Sequence, residues 1–516
     1  MNKLDNGVDR PPPPIGDRAP MPAECVQVPE DRAVALHGEI KRAMEAGRHD
    51  AARQAAERLV ALAPTDAAAW NALGIALRAS GKPEAAIAAY ARALQCQGAQ
   101  PHILGNWGNA LKDLQRLDEA IAVHKRAVAL EPRASGGFAN LGVALREAGR
   151  IDEALAAFDT ALALDPANLR LQFDRAQLLL MRGDYEAGWP AFEARWHRPE
   201  MQGTRFTQPL WDGRTLPDKT ILLWPEQGFG DTILCARFVR LVKRRVGRVM
   251  LGCQPELVRL FQGLDGVDAI VPYGAAVPPF DVHCPLMSLP RFFSPDLGQI
   301  PAPARLHVPH AARAKLAPVL AQAGGRLKVG IVWSGSVTFR SNHLRATSVE
   351  RFLDFAAVPG VQLFSLQKGL RAAELAESGA GALVIDLAPY LHDFADTAAA
   401  IEGLDLVIMT DSSVAHLAGS LGTPIWNLLP FAAYWLYLKE RADTPWYPSM
   451  RLFRQAQPGD WDGVFRQATV ALEQRVRQRA AQSRGPRAIS SQIRVPQPRA
   501  AFSASRECDR PAARDA

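Results

Sequence analysis

Two segments of the chain place reactive side chains directly after apolar runs. In ILLWPEQGFGDTIL (221–234) the run ends at Pro225, Gly228 and Gly230 space a tight turn, and Asp231 stands where a helix should start. Such a turn offers backbone amides and one carboxylate, the parts of a general base beside an anion. In VIMTDSSVAHLAGSLGTPIWNLL (407–429) a buried-type strand leads into Asp411, Ser412 and Ser413, then a short helix carrying His416 and stopping at Gly422. A helix start with hydroxyls at a strand's carboxyl end suits a phosphate, because free amides and the helix dipole both favour negative charge. The same dipole should lower the His416 pKa and keep the ring neutral. Each feature has a plainer reading: aspartate is a favoured N-cap, and a histidine in a first helical turn is often structural.

Several chemistries fall away. GFGDTI has Ile233 where a dinucleotide fingerprint needs its third small residue, and Cys253 and Gln254 stand where its acidic residue belongs, which disfavours a nicotinamide enzyme. A phosphate loop is missing its GK[ST] ending. The six cysteines form no CxxC pair, so neither a disulfide framework nor a zinc ribbon is expected, and no carboxylate pair or DxD motif points to a metal. The formal charge of +7 hints at nucleic acid until it is located. Ten arginines from Arg475 onward, set against Glu507, Asp509 and Asp515, account for all of it, so a solvated basic tail is expected and no nucleic-acid partner. No apolar run approaches the ~20 residues that span a bilayer and the N-terminus lacks a signal-type apolar core, so the expected compartment is the cytoplasm.

The segments sit in an α/β region. From about residue 218, TILLW, RVMLGC, DAIVP and FDVHCPL read as strands between amphipathic helices; after the proline-punctuated IPAPARLHVP, so do KVGIVWSGS, VQLFSLQKG, ALVIDL, DLVIMT and TPIWNLLP. Continuous β-branched runs suit parallel strands covered on both faces, so two open sheets facing a cleft are expected, with ligands beyond the carboxyl ends of the strands.

Ahead of this region the chain repeats. Gly47, Gly81 and Gly149 keep a 34-residue register, and units 67–100, 101–134 and 135–168 share small residues (Gly74, Gly108, Gly142; Ala86, Ala120, Ala154) that let two helices approach closely. The pattern resembles the tetratricopeptide repeat over about 33–202. The resemblance implies a curved solenoid whose inner face holds a peptide or protein segment, with Asn71, Asn106, Asn109 and Asn140 as candidates to bond an extended backbone. Self-association, or packing on the next domain, is the plainer role.

The GxGD loop and TDSSVAHLAGSLGTP, with WSGSVTFRSNHLRATSVERF, FSLQKG and DTPWYPSMRLFRQ, resemble the bacterial heptosyltransferase-type glycosyltransferases of GT-B fold, in the subgroup that follows tetratricopeptide repeats. The resemblance implies an inverting, metal-independent transfer from a nucleotide-sugar substrate, with no cofactor. It makes Asp231 the base and Asp411, Ser412, Ser413 and His416 the diphosphate site; Ser334, Arg340, Arg345 and Lys368 are further donor-side candidates. The fusion to repeats implies a polypeptide acceptor such as flagellin or another surface protein. Two alternatives stay open: a scaffold with a degenerate transferase domain, and a lipopolysaccharide transferase whose repeats only organise assembly. The expected organisation is a Pro-rich terminus (1–32), repeats (33–202), a first Rossmann-like half (203–300), a linker (301–326), a nucleotide-sugar half (327–475) and the basic tail (476–516).

Overall fold

The structure, a computed structural model, describes residues 30–197, 201, 206–226, 228–338 and 342–483. Ten helices come first, as five pairs: α1 (Glu30–Glu45) with α2 (His49–Leu62), α3 (Ala67–Ala79) with α4 (Pro83–Gln97), α5 (Pro101–Asp113) with α6 (Leu117–Leu130), α7 (Ser135–Glu147) with α8 (Ile151–Leu164), and α9 (Leu169–Arg182) with α10 (Tyr185–Phe192). The repeat glycines are dictated by sterics. A Cβ on Gly74 would lie 2.4 Å from the Tyr90 ring, on Gly108 2.6 Å from His124 and on Gly142 2.7 Å from Phe158. Only hydrogen leaves room for the ring of the second helix in these three pairs. The turn inside each pair needs a left-handed residue, supplied by Gly47, Gly81, Gly149 and Gly183; the third pair uses Gln115 at φ 59° instead. Successive first helices touch one another, which puts them on the inside of the curve.

The rest of the described chain carries two parallel sheets. β1 (Leu216–Trp224), β2 (Val246–Cys253), β3 (Ala269–Pro272) and β4 (Val282–Pro285) are ordered β3-β2-β1-β4. β5 (Leu327–Val332), β6 (Val361–Ser365), β7 (Val384–Asp386), β8 (Leu406–Thr410), β9 (Ile425–Leu429) and β10 (Met450–Arg454) are ordered β10-β9-β8-β5-β6-β7. In the first sheet the chain steps outward from β1 and returns on its other side as β4. In the second it steps outward from β5 and returns as β8. Strand order therefore reverses between β1 and β4 and between β5 and β8, and loops beyond such reversals open into a crevice. The loops following β1, β5 and β8 carry GFGD, WSGS and DSS.

The solenoid does not end in a linker. Leu180, Tyr185, Trp189 and Phe192 belong to the same buried cluster as the α/β core. Tyr185, Trp189, Trp435 and Trp446 pack ring to ring, Trp189 Nε1 donates to the Ser294 carbonyl (3.0 Å) and Trp446 Nε1 to the Tyr185 hydroxyl (2.7 Å). At roughly 150–250 Å² per ring and about 25 cal/mol/Å², each buried aromatic contributes about 4–6 kcal/mol before ordering costs. The last helical pair is thus a wall of the α/β region.

Two expected boundaries move. The centre of 301–326 is the helix His310–Leu320, whose Ala312 and Leu316 are buried beside the helix Phe394–Glu402 and whose Arg313 pairs with Glu402 at 2.7 Å. The final helix Trp461–Ser483 runs past 475, where Arg475 donates to the Asp405 carbonyl and Arg479 to its carboxylate. The Pro-rich terminus up to residue 29, Cys25, Arg340 and everything after Ser483 lie outside the described residues. Among the described residues no helix is long and apolar enough to cross a membrane.

Candidate active site

The GFGD turn starts the helix α11 (Phe229–Cys235). Gly228 is the N-cap, in extended backbone and without a side-chain cap, so Asp231 is the third helical residue and capping does not account for it. The turn is braced from three sides: Thr232 Oγ1 bonds Gly228 O (3.2 Å) and Gln254 Oε1 (3.1 Å), Tyr273 donates to Pro225 O (3.0 Å), and Glu226 takes a fork from Arg195. Facing it is the helix Ser413–Leu421, capped by Ser412 Oγ accepting from Val414 N (3.3 Å) and closed by left-handed Gly422. The two helix starts meet at Gly230, where a Cβ would lie 2.7 Å from His416 Cδ2 and 3.5 Å from Ser413 Cα. The GFGD turn and the DSS turn therefore form one site, lined by both sheets.

Electrostatics single out Asp231. Burial, then the charges of Glu226 and Asp411, push its pKa up from 3.8 to about 7, against smaller opposing effects of Arg195 and Arg345. A base poised near neutrality is what proton abstraction at physiological pH requires. Burial drives His416 down to about 4 against the opposing charge of Asp411, with smaller help from Arg237 and Arg345, so the ring is neutral, with Nδ1 3.1 Å from the Tyr447 hydroxyl. The helix dipole proposed from sequence is not needed for this.

The other expected residues divide. Asp411 is buried; its carboxylate accepts from Tyr437 (2.5 Å) and Arg345 (3.2 Å) and so shapes the turn. Arg345 joins the cluster. Ser334 is buried in a lattice with Gln367 and Asn342: its amide donates to Gln367 Oε1 (3.0 Å) and its hydroxyl accepts from Asn342 (3.0 Å). Lys368 is exposed and its ammonium donates to the Ala388 carbonyl (3.0 Å), so it is not in the cluster with Asp231 and Asp411. Asn71, Asn106, Asn109 and Asn140 lie half-buried on α3, α5 and α7; Asn106 Nδ2 donates to Asn71 Oδ1 (3.0 Å), which ties repeats together. Beside them runs a ladder spaced by 34 residues, with Arg78 on Asp113, Lys112 on Glu147 and Arg146 on Asp174.

Sequence reasoning missed Glu226, Arg195, Arg237, Tyr434 and Tyr437. Glu226 stands in the quoted loop and its charge five residues before Asp231 was a usable signal. Arg237 donates to the carbonyls of Pro301 and Trp446 and stacks on Trp446 and Tyr447, tying the two sheets behind the site. Tyr434 is close enough for Asp231 and Asp411 to raise its pKa, after burial. The loop before it touches the solenoid, since a Cβ on Gly149 would lie 3.4 Å from the Phe431 ring.

The tetratricopeptide repeat profile matches residues 37–101, 106–168 and 139–196. The chain is 28% identical over 330 residues to protein FlbA of Caulobacter vibrioides, covering 58% of this chain and 54% of that one; it spans about half the length of that curated relative. Among solved structures, MamA of Desulfovibrio magneticus RS-1 is 18% identical with a TM-score of 0.29 (33% of this chain, 96% of that one). PilF of Pseudomonas aeruginosa is 19% identical with a TM-score of 0.32 (42% and 86%). The chain carries tetratricopeptide repeats within residues 37–196, and the array runs into an α/β region of two parallel sheets.

Proposed function

We propose that the α/β region is a GT-B-type glycosyltransferase that moves a sugar from a nucleotide-sugar donor to an acceptor hydroxyl, with inversion and without a metal, and that the acceptor is a polypeptide held by the repeats. The observation that carries the reading is the meeting, at Gly230, of an uncapped helix start bearing a near-neutral carboxylate and a second helix start bearing hydroxyls, each at a strand-order reversal. Asp231 takes the acceptor proton. The amides of the 412–414 turn, Ser413 and Arg345 stabilise the departing diphosphate as charge develops on it, which is worth more inside an enclosed site than in water. Holding both substrates between the sheets removes the entropy of encounter from the chemical step. Among the described residues the first sheet has four strands, and the last helical pair extends it as a wall; Phe431 and Tyr434 link that wall's solenoid to Asp231, which supports a protein acceptor.

A second reading is favoured by one observation: Asp411 and Ser412 are already engaged by internal partners, as in a scaffold whose donor site has fallen silent. Calorimetric titration with nucleoside diphosphates and their sugar conjugates, with and without EDTA, separates the two. The transferase reading expects binding of one nucleotide family, unaffected by EDTA and weakened at least tenfold in Ser412→Ala/Ser413→Ala. Binding of none supports the scaffold.

A further inference from the structure

Arg195 lies in the 3-10 turn Glu193–His197 that closes the repeat array, yet its guanidinium is buried against the α/β loop. Nε and Nη2 donate in parallel to the two Glu226 oxygens, both at 2.7 Å; Nη2 also reaches Ser288 Oγ (2.6 Å), and Nη1 reaches Glu193 (2.5 Å) and the Phe192 carbonyl (3.2 Å). The group is stacked between Phe192 and Trp196. A planar fork seated this way has no freedom to choose another partner, and lysine could not reproduce it. Arg291 pairs with the outer Glu193 at 3.3 Å, so the two arginines balance the two glutamates.

Glu226 is five residues from Asp231, and its charge is the largest effect after burial in raising the Asp231 pKa. The groups facing Asp231 are Glu226 on its own loop, Arg195 from the solenoid, Asp411 from the β8 turn, Arg345 from the helix Asn342–Arg345, Tyr434 from the loop after β9, and Cys235 on α11; His416, neutral, abuts Gly230. A neighbouring carboxylate opposes ionisation of Asp231, and a fixed cation beside that neighbour offsets the effect. We propose that Arg195 is a positioning residue delivered by the repeat array: by clamping Glu226 it holds that carboxylate in place at the site where Asp231 exchanges its proton. The inference rests on the role given to Asp231 above. It makes the solenoid part of the chemical site as well as a holder of the acceptor.

The test compares full-length Glu226→Gln, Arg195→Met and Arg195→Lys, each with and without Asp231→Asn. The readout is the pH midpoint at which the stability of each protein departs from that of its Asp231→Asn partner; it needs no substrate. Glu226→Gln removes the repelling charge and is expected to move the midpoint down by about 1 pH unit, whereas Arg195→Met frees the Glu226 charge and moves it up by a similar amount. Arg195→Lys restores charge without the fork and falls between wild type and Arg195→Met. A purely structural role lowers stability in all three without moving midpoints in opposite directions, and that result overturns the proposal. Should Arg195→Met fail to fold, Glu226→Gln decides alone: an unmoved midpoint overturns it. Opposed shifts in a protein that turns over no sugar nucleotide would uphold the clamp and reject the transferase reading; the reverse pattern would do the opposite.

Discussion

Asp231→Asn should make the protein more stable, and only on the alkaline side. The folded carboxyl keeps its proton up to about pH 7, while the unfolded one loses it near 3.8. Between those values the folded state binds more protons, so raising the pH through the window withdraws stability from the wild type. The interval is a little over three pH units, and at 1.36 kcal/mol per unit the ceiling is about 4 kcal/mol above pH 7. Water reaches the partly exposed side chain and screens it, so about 2 kcal/mol is the expected gain at pH 8. Asparagine keeps the shape and loses the charge, giving up only about 0.3–1 kcal/mol of favourable interaction with the start of α11. The assay is urea unfolding followed by tryptophan fluorescence, with Trp189, Trp435 and Trp446 reporting on the buried cluster between solenoid and sheets. Titrating groups that do not interact with Asp231 cancel in the difference between variant and wild type. The gap should be widest at pH 8 and close as the pH falls toward 4. A gap that does not change with pH, or a variant less stable than wild type at pH 8, would refute the assignment of Asp231 as a destabilised, proton-accepting carboxylate.

Other outcomes follow from the same physics. His124 holds the place of Tyr90 and Phe158, is fully buried with both ring nitrogens unpaired, and is pushed down from 6.5 to about 4 by burial and then by Lys112. His124→Phe should stabilise the solenoid at pH 7 by about 1–3 kcal/mol. It should also remove a loss of up to about 3 kcal/mol that the wild type suffers as the pH falls from 6.5 to 4, seen by circular dichroism melts. Gln115→Gly should raise the solenoid's stability by about 1 kcal/mol, because it relieves a left-handed side chain in a turn where the other pairs use glycine. Gly230→Ala gains about 1 kcal/mol of helix propensity but drives a methyl to 2.7 Å from His416 Cδ2; with that ring buried against Tyr447, overpacking of about 1–3 kcal/mol wins, and nucleotide affinity by calorimetry should fall with it.

The repeats were legible because each period repeats a steric demand. A glycine facing a ring 16 residues later, as in Gly74 with Tyr90, leaves the same trace in each of the three central units. The strands were legible as apolar runs, but their order was not: a β-branched run shows that a strand is buried, not which strands lie beside it. The helix His310–Leu320 hid behind the prolines that end at Pro309, which read as punctuation although Pro309 only precedes the helix; Pro318 is accommodated within it. At the site, GFGD and DSSVAH stood out because each follows its strand directly. Lys368 failed as a candidate because its long side chain found the Ala388 carbonyl first. Arg195 lies 31 residues from Glu226 and in the repeat region, so no local spacing links them; only the docking of α10 on the sheets brings the fork to the loop.

The central claim is that the paired helix starts transfer sugar with Asp231 as base. Its most direct measurement is release of nucleoside diphosphate from sugar nucleotides by the full-length protein, with extract of host cells lacking its gene as the acceptor source, across pH 5 to 9. The account expects one donor to be turned over. Its rate should rise through an acid limb near pH 7 and drop at least about 100-fold in Asp231→Asn while donor binding persists. Turnover unchanged by Asp231→Asn, or no turnover of any donor that binds, would contradict it.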